Sequence, residues 1–317
     1  MTLSRRRRAV PLASLLGAGA ALGISTNLAK LAAEAGVDPL AFLAWSVIGA
    51  TAVLVGVSAV RHRLPPLNAR TTEYFVIAGL VGLAAPNLLS FAAVSHVGAG
   101  FVALSIAFPP LFTYIGALLL GMERFQPRRA TGVVLALGGA VLLAVLKLSE
   151  PDVDAFWVAA TLSAPILLAV GNIYRTARWP EGVAPDELAP GMLAASGAIL
   201  LIVGTIMGTF FGGPAGFSLA VPTDRATPVL LILAQTTTFS FMYLLFFVLQ
   251  KHGGPVYLSL LGSVGAIVGV PIAVLLLGEA PSQGLAVGGV LIAFGVGLLT
   301  LGDPKGKGET AATPTDD

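Results

Sequence analysis

The chain has 317 residues, of which 56% are apolar and only 11% carry charge, with a net charge of +2 at pH 7. A soluble domain carries about 25% charged residues, so most of this surface must face lipid. Disorder, a collagen-like repeat and, with no cysteine, a secreted disulfide scaffold are excluded on the same grounds, and the charge is too small to imply a nucleic-acid partner.

A helix needs about 20 largely apolar residues to cross a membrane. In chain order, the apolar runs between charged or Pro/Gly-rich breaks predict ten spans: 10–31, 39–60, 74–95, 99–121, 130–147, 156–176, 188–209, 227–249, 255–277 and 284–301. The segment 303–317 is small and polar and reads as a disordered cytoplasmic tail. Arg5–Arg8 before an apolar stretch is also the pattern of a signal peptide, but the repeat described below needs this segment as a helix. With the N-terminus in the cytoplasm, fifteen of the eighteen Lys and Arg fall in inside segments. The positive-inside rule therefore predicts both termini cytoplasmic, in a bacterial-type inner membrane.

The sequence repeats itself. At an offset of 156, His96 falls on His252, Glu123 on Glu279, Gly132 on Gly288 and Gly139 on Gly295. At an offset of 145, Asn27 falls on Asn172 and Lys30 on Arg175. Two five-helix repeats, 1–147 and 148–302, are expected, and because five is odd the second enters the membrane inverted. The fold class is thus an all-α integral membrane protein of ten helices in a 5+5 inverted arrangement. Such symmetry with a site near the midplane is the mark of secondary transporters working by alternating access.

Two stretches carry a resemblance. Pro110 to Leu143 and Val270 to Leu299 each hold a Pro-containing helix, a Gly-Glu at its end and a Gly-rich helix about seven residues later. They resemble the two EamA-type repeats of the drug/metabolite transporter superfamily. Gly121-Met122-Glu123 departs by one extra residue inside the Gly-Glu, and helix 6 lacks the mid-helix tryptophan common in the family, its Trp157 lying at an end. The resemblance implies export of small metabolites through a cavity lined by helices 1, 3, 4, 6, 8 and 9, with helices 5 and 10 as packing elements. Similarity to the YddG-type amino acid exporters of the superfamily makes amino acids, apolar or aromatic, the first substrate expectation.

Residue chemistry points to the same helices. A polar side chain or a proline-freed carbonyl at mid-depth needs protein or cavity water around it. Asn87 and Ser90 with Pro86 in helix 3, Ser105 and Pro109 in helix 4, and Ser163 in helix 6 meet that description, as do Gln235 and Thr238 in helix 8 and Ser259 and Ser263 in helix 9. Tyr114, Phe239 and Tyr243 are the aromatic candidates for holding a side chain. Ser and Thr that bond back to their own helix carry no such meaning. Asn27 and Asn172 read as interhelical hydrogen-bonding pairs, Lys30 as snorkelling to the interface, His96 and His252 as solvated turn residues, and Glu123 and Glu279 as helix caps or partners of loop arginines. Trp45 and Trp157 suit the interfacial belt.

All 16 Asp and Glu lie in loops, tails or helix ends, so a membrane carboxylate that binds a proton or a cationic drug is not expected. No hydrolase, Walker or Cys/His metal motif is present, so no cofactor, metal or catalytic role is expected. The reading is an exporter of small neutral or zwitterionic metabolites. Phosphorylated or nucleotide-linked sugars are the alternative, which requires cationic side chains in the cavity, where only Lys30 and Arg175 qualify. A membrane enzyme or lipid flippase is the third reading and lacks a catalytic pair.

Overall fold

The computed structural model describes residues 3–121, 125–149, 153–211, 218–222 and 226–279 and five helical positions between 290 and 297; side chains are described from Val10 onward, except those of 210–211, 253–257 and 259. Among the described residues all regular structure is helical. Eight helices among these residues are long and apolar enough to cross a membrane. They are α1 (Leu3–Glu34), α2 (Pro39–Val60), α3 (Ala69–Val97), α4 (Ala99–Leu119), α5 (Pro127–Leu148), α6 (Ala155–Ala177), α7 (Pro185–Phe211) and α8 (Ala226–Ser259). A shorter apolar helix, α9 (Leu261–Leu276), follows. The chain is a multi-pass membrane protein. The tenth expected span, 284–301, falls mostly outside the described residues, and Glu123 and the tail 303–317 fall wholly outside them.

One boundary differs from expectation. The ninth span was expected from 255, but α8 runs through Gly253 and Gly254 to Ser259 and the turn falls at Leu260. The matching break after α3 does occur, because Gly98 adopts φ +86° there. Only glycine enters that left-handed region at little cost.

Three spans are irregular. In α3, Pro86 withdraws the N–H that would reach the Gly82 carbonyl, and residues Leu80–Ala84 form a π-helical turn, with the Ala85 N–H donating back to Leu80. In α4, a break at Ile106–Phe108 divides α4a (Ala99–Ser105) from α4b (Pro109–Leu119), with Pro109 in the first turn of the second piece. In α9, Pro271 is followed by a π-helical turn at Ile272–Leu276. Irregular backbone at membrane depth is tolerated where protein or a wet cavity surrounds it.

The packing is organised by small residues. Lipid tails are as apolar as leucine, so helices associate through close approach and hydrogen bonds. α1 packs along α8 and α9, and α6 along α3 and α4b. α2 packs along α7 and α8, and α7 along α2 and α3. At the α1–α9 crossing, Gly19 and Gly23 face Gly265 and Gly269, and a Cβ built on Gly269 would lie 3.2 Å from the Gly23 Cα. Asn27 closes this crossing, its Nδ2 donating to the Gly23 carbonyl at 2.9 Å and the Gly269 carbonyl at 3.0 Å. Asn27→Ala is expected to lower stability by about 1 kcal/mol, the usual scale of one interhelical hydrogen bond in a membrane. Thermal unfolding in detergent checks it, and an unchanged midpoint would remove Asn27 from the packing account. Apolar side chains such as Val134, Val141, Ile202 and Leu230 point outward, where lipid receives them.

Candidate functional site

The π turn of α3, the break in α4 and the glycine-rich start of α9 converge on one cavity. Its walls come from α1, α3, α4, α6, α8 and α9. Its volume is about 70 Å³, against the ~10–15 Å³ that one water requires by the same measure. It therefore has room for several waters or the head of a small ligand. Its lining is mixed, with polar side chains from Ser25, Thr26, Asn87, Ser90, Asn172 and Arg175 and apolar or aromatic ones from Phe91, Met242, Tyr243 and Phe246.

Of the residues expected from sequence, Asn87, Ser90, Pro109 and Tyr243 line this cavity. Asn87 Nδ2 donates to the Leu83 carbonyl at 2.8 Å, inside the π turn. Phe239 and Gln235 stand one layer behind. Phe239 is fully buried and stacks on Phe91 at 6.4 Å and edge-on to Tyr243 at 5.5 Å. Gln235 Nε2 donates to the cavity residue Ser25 at 2.5 Å.

Others lie elsewhere, for identifiable reasons. Ser105, Ser163 and Thr238 hydrogen bond carbonyls of their own helices, at 2.8, 2.7 and 2.8 Å. Tyr114 turns towards α5, packing with Leu111, Val133 and Ala136, and its hydroxyl accepts from the Gln126 N–H at 3.1 Å. The Ser263 hydroxyl is buried without a partner and outside the cavity wall. The Ser259 side chain lies outside the described residues.

The repeat residues divide into two groups. Lys30, expected to snorkel, instead folds onto Glu279, Nζ to Oε1 at 2.8 Å, with Glu34 farther away at 3.8 Å. Glu279 serves as a cap, accepting from the Ala99 N–H at 2.7 Å and the Gly100 N–H at 2.8 Å. Its charge faces the exposed N–H groups at the start of α4, where negative charge is favoured. Burial opposes ionisation of Glu279, but the Lys30 ammonium and the two N–H groups outweigh it and hold the carboxyl below its usual range. This latch ties the end of α1 and the α3–α4 turn to the chain leaving α9.

Asn172 and Arg175, expected as structural counterparts of Asn27 and Lys30, both line the cavity. Arg175, expected near the inner end of helix 6 and, with Lys30, as a cation able to reach the cavity, is 1% exposed. It sits in the last turn of α6, and a long helical side chain points back towards the N-terminus of its helix. The space for its guanidinium is provided by Gly82, where any Cβ would collide with Arg175 Nη1. Gly171 brings α6 against the same point, its own Cβ position 2.8 Å from the Gly82 Cα. His96 and Trp157 stack on each other at 4.2 Å.

A polytopic helical bundle around a mixed polar and aromatic cavity, with irregular backbone at mid-depth, defines the class: this is a multi-pass helical membrane protein with an internal cavity. Residues 10–145 match the EamA-like transporter family. A WAT1-related protein of Arabidopsis thaliana is 27% identical over 111 residues, a stretch that spans 34% of this chain and 31% of the relative. A solved structure described as "Crystal structure of protein" shares the fold, with a TM-score of 0.61 and 18% identity over 93% of this chain and 98% of that one.

Proposed function

We propose that this chain is a secondary transporter exporting small neutral or zwitterionic metabolites, amino acids first among them, across a bacterial-type inner membrane with both termini cytoplasmic. The observation that carries this reading is the cavity itself. Asn87, Ser90 and Tyr243 offer uncharged hydrogen-bonding groups to the polar end of a ligand, and Phe91, Met242 and Phe246 offer an apolar wall to its side chain.

The packing supports two inverted halves, 1–147 and 148–302, rocking against one another. Exchanging α1 with α6, α2 with α7, α3 with α8 and α4 with α9 turns the contacts of α1 with α8 and α9 into those of α6 with α3 and α4. It also turns the α2–α8 contact into the α7–α3 contact. The latch at Glu279 would then close one end of the path while the other is open.

A second reading, transport of phosphorylated sugars, is favoured by Arg175 in the cavity wall. The small volume speaks against a nucleotide-linked sugar entering this conformation. Counterflow in proteoliposomes with labelled amino acids, sugar phosphates and neutral sugars separates the readings. Amino acid uptake is expected, and sugar-phosphate uptake beside silence for every amino acid overturns the first choice. Asn87→Ala should cut uptake about tenfold, the worth of one hydrogen bond of about 1.4 kcal/mol to the ligand. An Asn87→Ala protein that inserts normally and transports like wild type would refute this cavity assignment.

A further inference from the structure

Arg175 is a buried cation that has no counter-ion among the described residues. Among the described residues no carboxylate pairs with it, and the guanidinium meets one oxygen, Asn172 Oδ1, at 2.6 Å from Nη2. Its other contacts are soft: Met192 Sδ lies 4.0 Å from Nη1 and the Phe246 ring centroid 4.9 Å from Cζ, while Nε has no partner. Guanidinium has five N–H donors and no acceptor, and leaving such a group desolvated and unpaired is costly. An arginine placed for packing alone would be improved by an apolar residue of similar volume.

Two features of the backbone nevertheless maintain it. Gly82 leaves the guanidinium its space, and Gly171 sets the α3–α6 approach that frames it. Asn172 orients the fork from one turn earlier on the same helix. Around it the cavity presents Asn87, Ser90 and Tyr243, and no carboxylate. The charge that would balance Arg175 is therefore absent from the protein's side of the cavity.

We infer that Arg175 anchors the anionic group of the transported ligand, a compact oxyanion such as the carboxylate of an amino acid. Asn172 is the positioning residue, and the uncharged wall of α3 and α8 receives the rest of the molecule. A planar fork matches carboxylate and phosphate geometry, which an ammonium does not. This rests on the transporter reading and narrows its substrates to those bearing an oxyanion. A neutral metabolite would displace water from the guanidinium without bringing a charge to balance it.

The test uses the full-length protein in proteoliposomes, with counterflow of L-leucine, L-leucinamide, glucose 6-phosphate and glucose. Leucine is expected to move at least tenfold faster than leucinamide, which lacks the carboxylate. Arg175→Met is expected to abolish leucine uptake and, because it removes an unpaired buried charge, to leave the melting temperature of the ligand-free protein unchanged or higher. A merely structural arginine would instead lower that temperature. Arg175→Lys, which keeps the charge and loses the fork, should retain a fraction of the uptake. If no amino acid moves but glucose 6-phosphate does, and Arg175→Met abolishes it, the amino acid reading falls and the anchor stands. Equal transport of leucine and leucinamide, anion transport by Arg175→Met at the wild-type rate, or silence of every anion overturns the anchor.

Discussion

Glu279→Ala is expected to destabilise the protein by about 2–3 kcal/mol, the scale of removing a charged acceptor whose partners then stay desolvated. The carboxylate is only 16% exposed and its ammonium partner Lys30 only 17%. Solvent therefore replaces neither well, and the pair lies between the surface case, worth under about 1 kcal/mol, and a fully buried one. The Ala99 and Gly100 N–H groups, at 2.7 and 2.8 Å, lose their acceptor at the same time. Lys30→Ala alone should cost less, because the two N–H groups keep Glu279 satisfied. The double variant should cost clearly less than the sum of the two, since both remove the same interaction. Additive losses would show that the latch is not one unit.

The pH dependence follows from the direction of the Glu279 shift. Its folded-state value is held below the ordinary 4.5, so it stabilises the fold in the ionised form. That contribution is complete above about 4.5 and drains away as pH falls through the lower folded value. No change is expected between pH 5 and 8, and Glu279→Gln should lack the acid-side loss that the wild type shows. In the alternating-access reading, Glu279→Gln also shifts the population towards a path open at this end. The chain has no cysteine of its own, so a single Ser90→Cys reports on the cavity without background. Labelling by a membrane-impermeant maleimide from the Lys30 side should rise several-fold in Glu279→Gln. Equal labelling in both backgrounds would make the latch a structural cap and nothing more.

Much of the fold is legible in the sequence because a membrane imposes a single length scale. Runs of apolar residues bounded by charge give the first seven membrane spans to within about five residues, and Pro86, Pro109 and Pro271 mark where α3, α4 and α9 become irregular. What composition does not encode is which way a side chain turns. Tyr114 and Tyr243 are both mid-span tyrosines, yet one packs on α5 and the other on the cavity. Ser105, Ser163 and Thr238 are polar at the right depth but bond to their own helices. Lys30 and Glu279 stand out as repeat residues, and nothing in a one-dimensional pattern shows that they pair with each other across 249 positions.

Arg175 was legible only as a candidate, for a different reason. It lies three residues before Arg178 at the end of an apolar run, where a charge ordinarily faces water. Only the reach of its side chain back to Gly82 puts the guanidinium in the cavity. The signal that could have revealed it was local: Asn172 and Arg175 at i and i+3 share a helix face, and that face also presents Gly171 one residue from Asn172. A small residue beside a polar pair on one helix face marks a close crossing whose neighbours point into protein rather than lipid. Asn27 and Lys30 have the same spacing and behave differently, because there the carboxylate partner is supplied by Glu279.

Gly262→Ala is expected to be the most disruptive glycine-to-alanine change among the described residues, costing about 3 kcal/mol, at the upper end of overpacking penalties. Gly262 is buried on α9, where it faces the Ile106 carbonyl in the break between α4a and α4b, and a Cβ there would run into that oxygen. The obstacle is backbone, so no rotamer change relieves it. Either α9 moves away from α4 or the break itself rearranges. Both Ile106 and Gly262 line the cavity, together with Pro109, so the same methyl that destabilises the bundle should distort the ligand site and depress uptake beyond what the lost folded fraction explains. Gly56→Ala is the matched control: it adds the same methyl to an exposed position of α2 that has nothing within 4 Å. With alanine the better helix former by up to about 1 kcal/mol in water, it should be neutral or mildly stabilising. Thermal unfolding of both variants in detergent, with uptake measured per folded molecule, checks the pair. A Gly262→Ala protein as stable as Gly56→Ala would mean that α9 does not press against the α4 break, and the cavity wall drawn from these two elements would have to be abandoned.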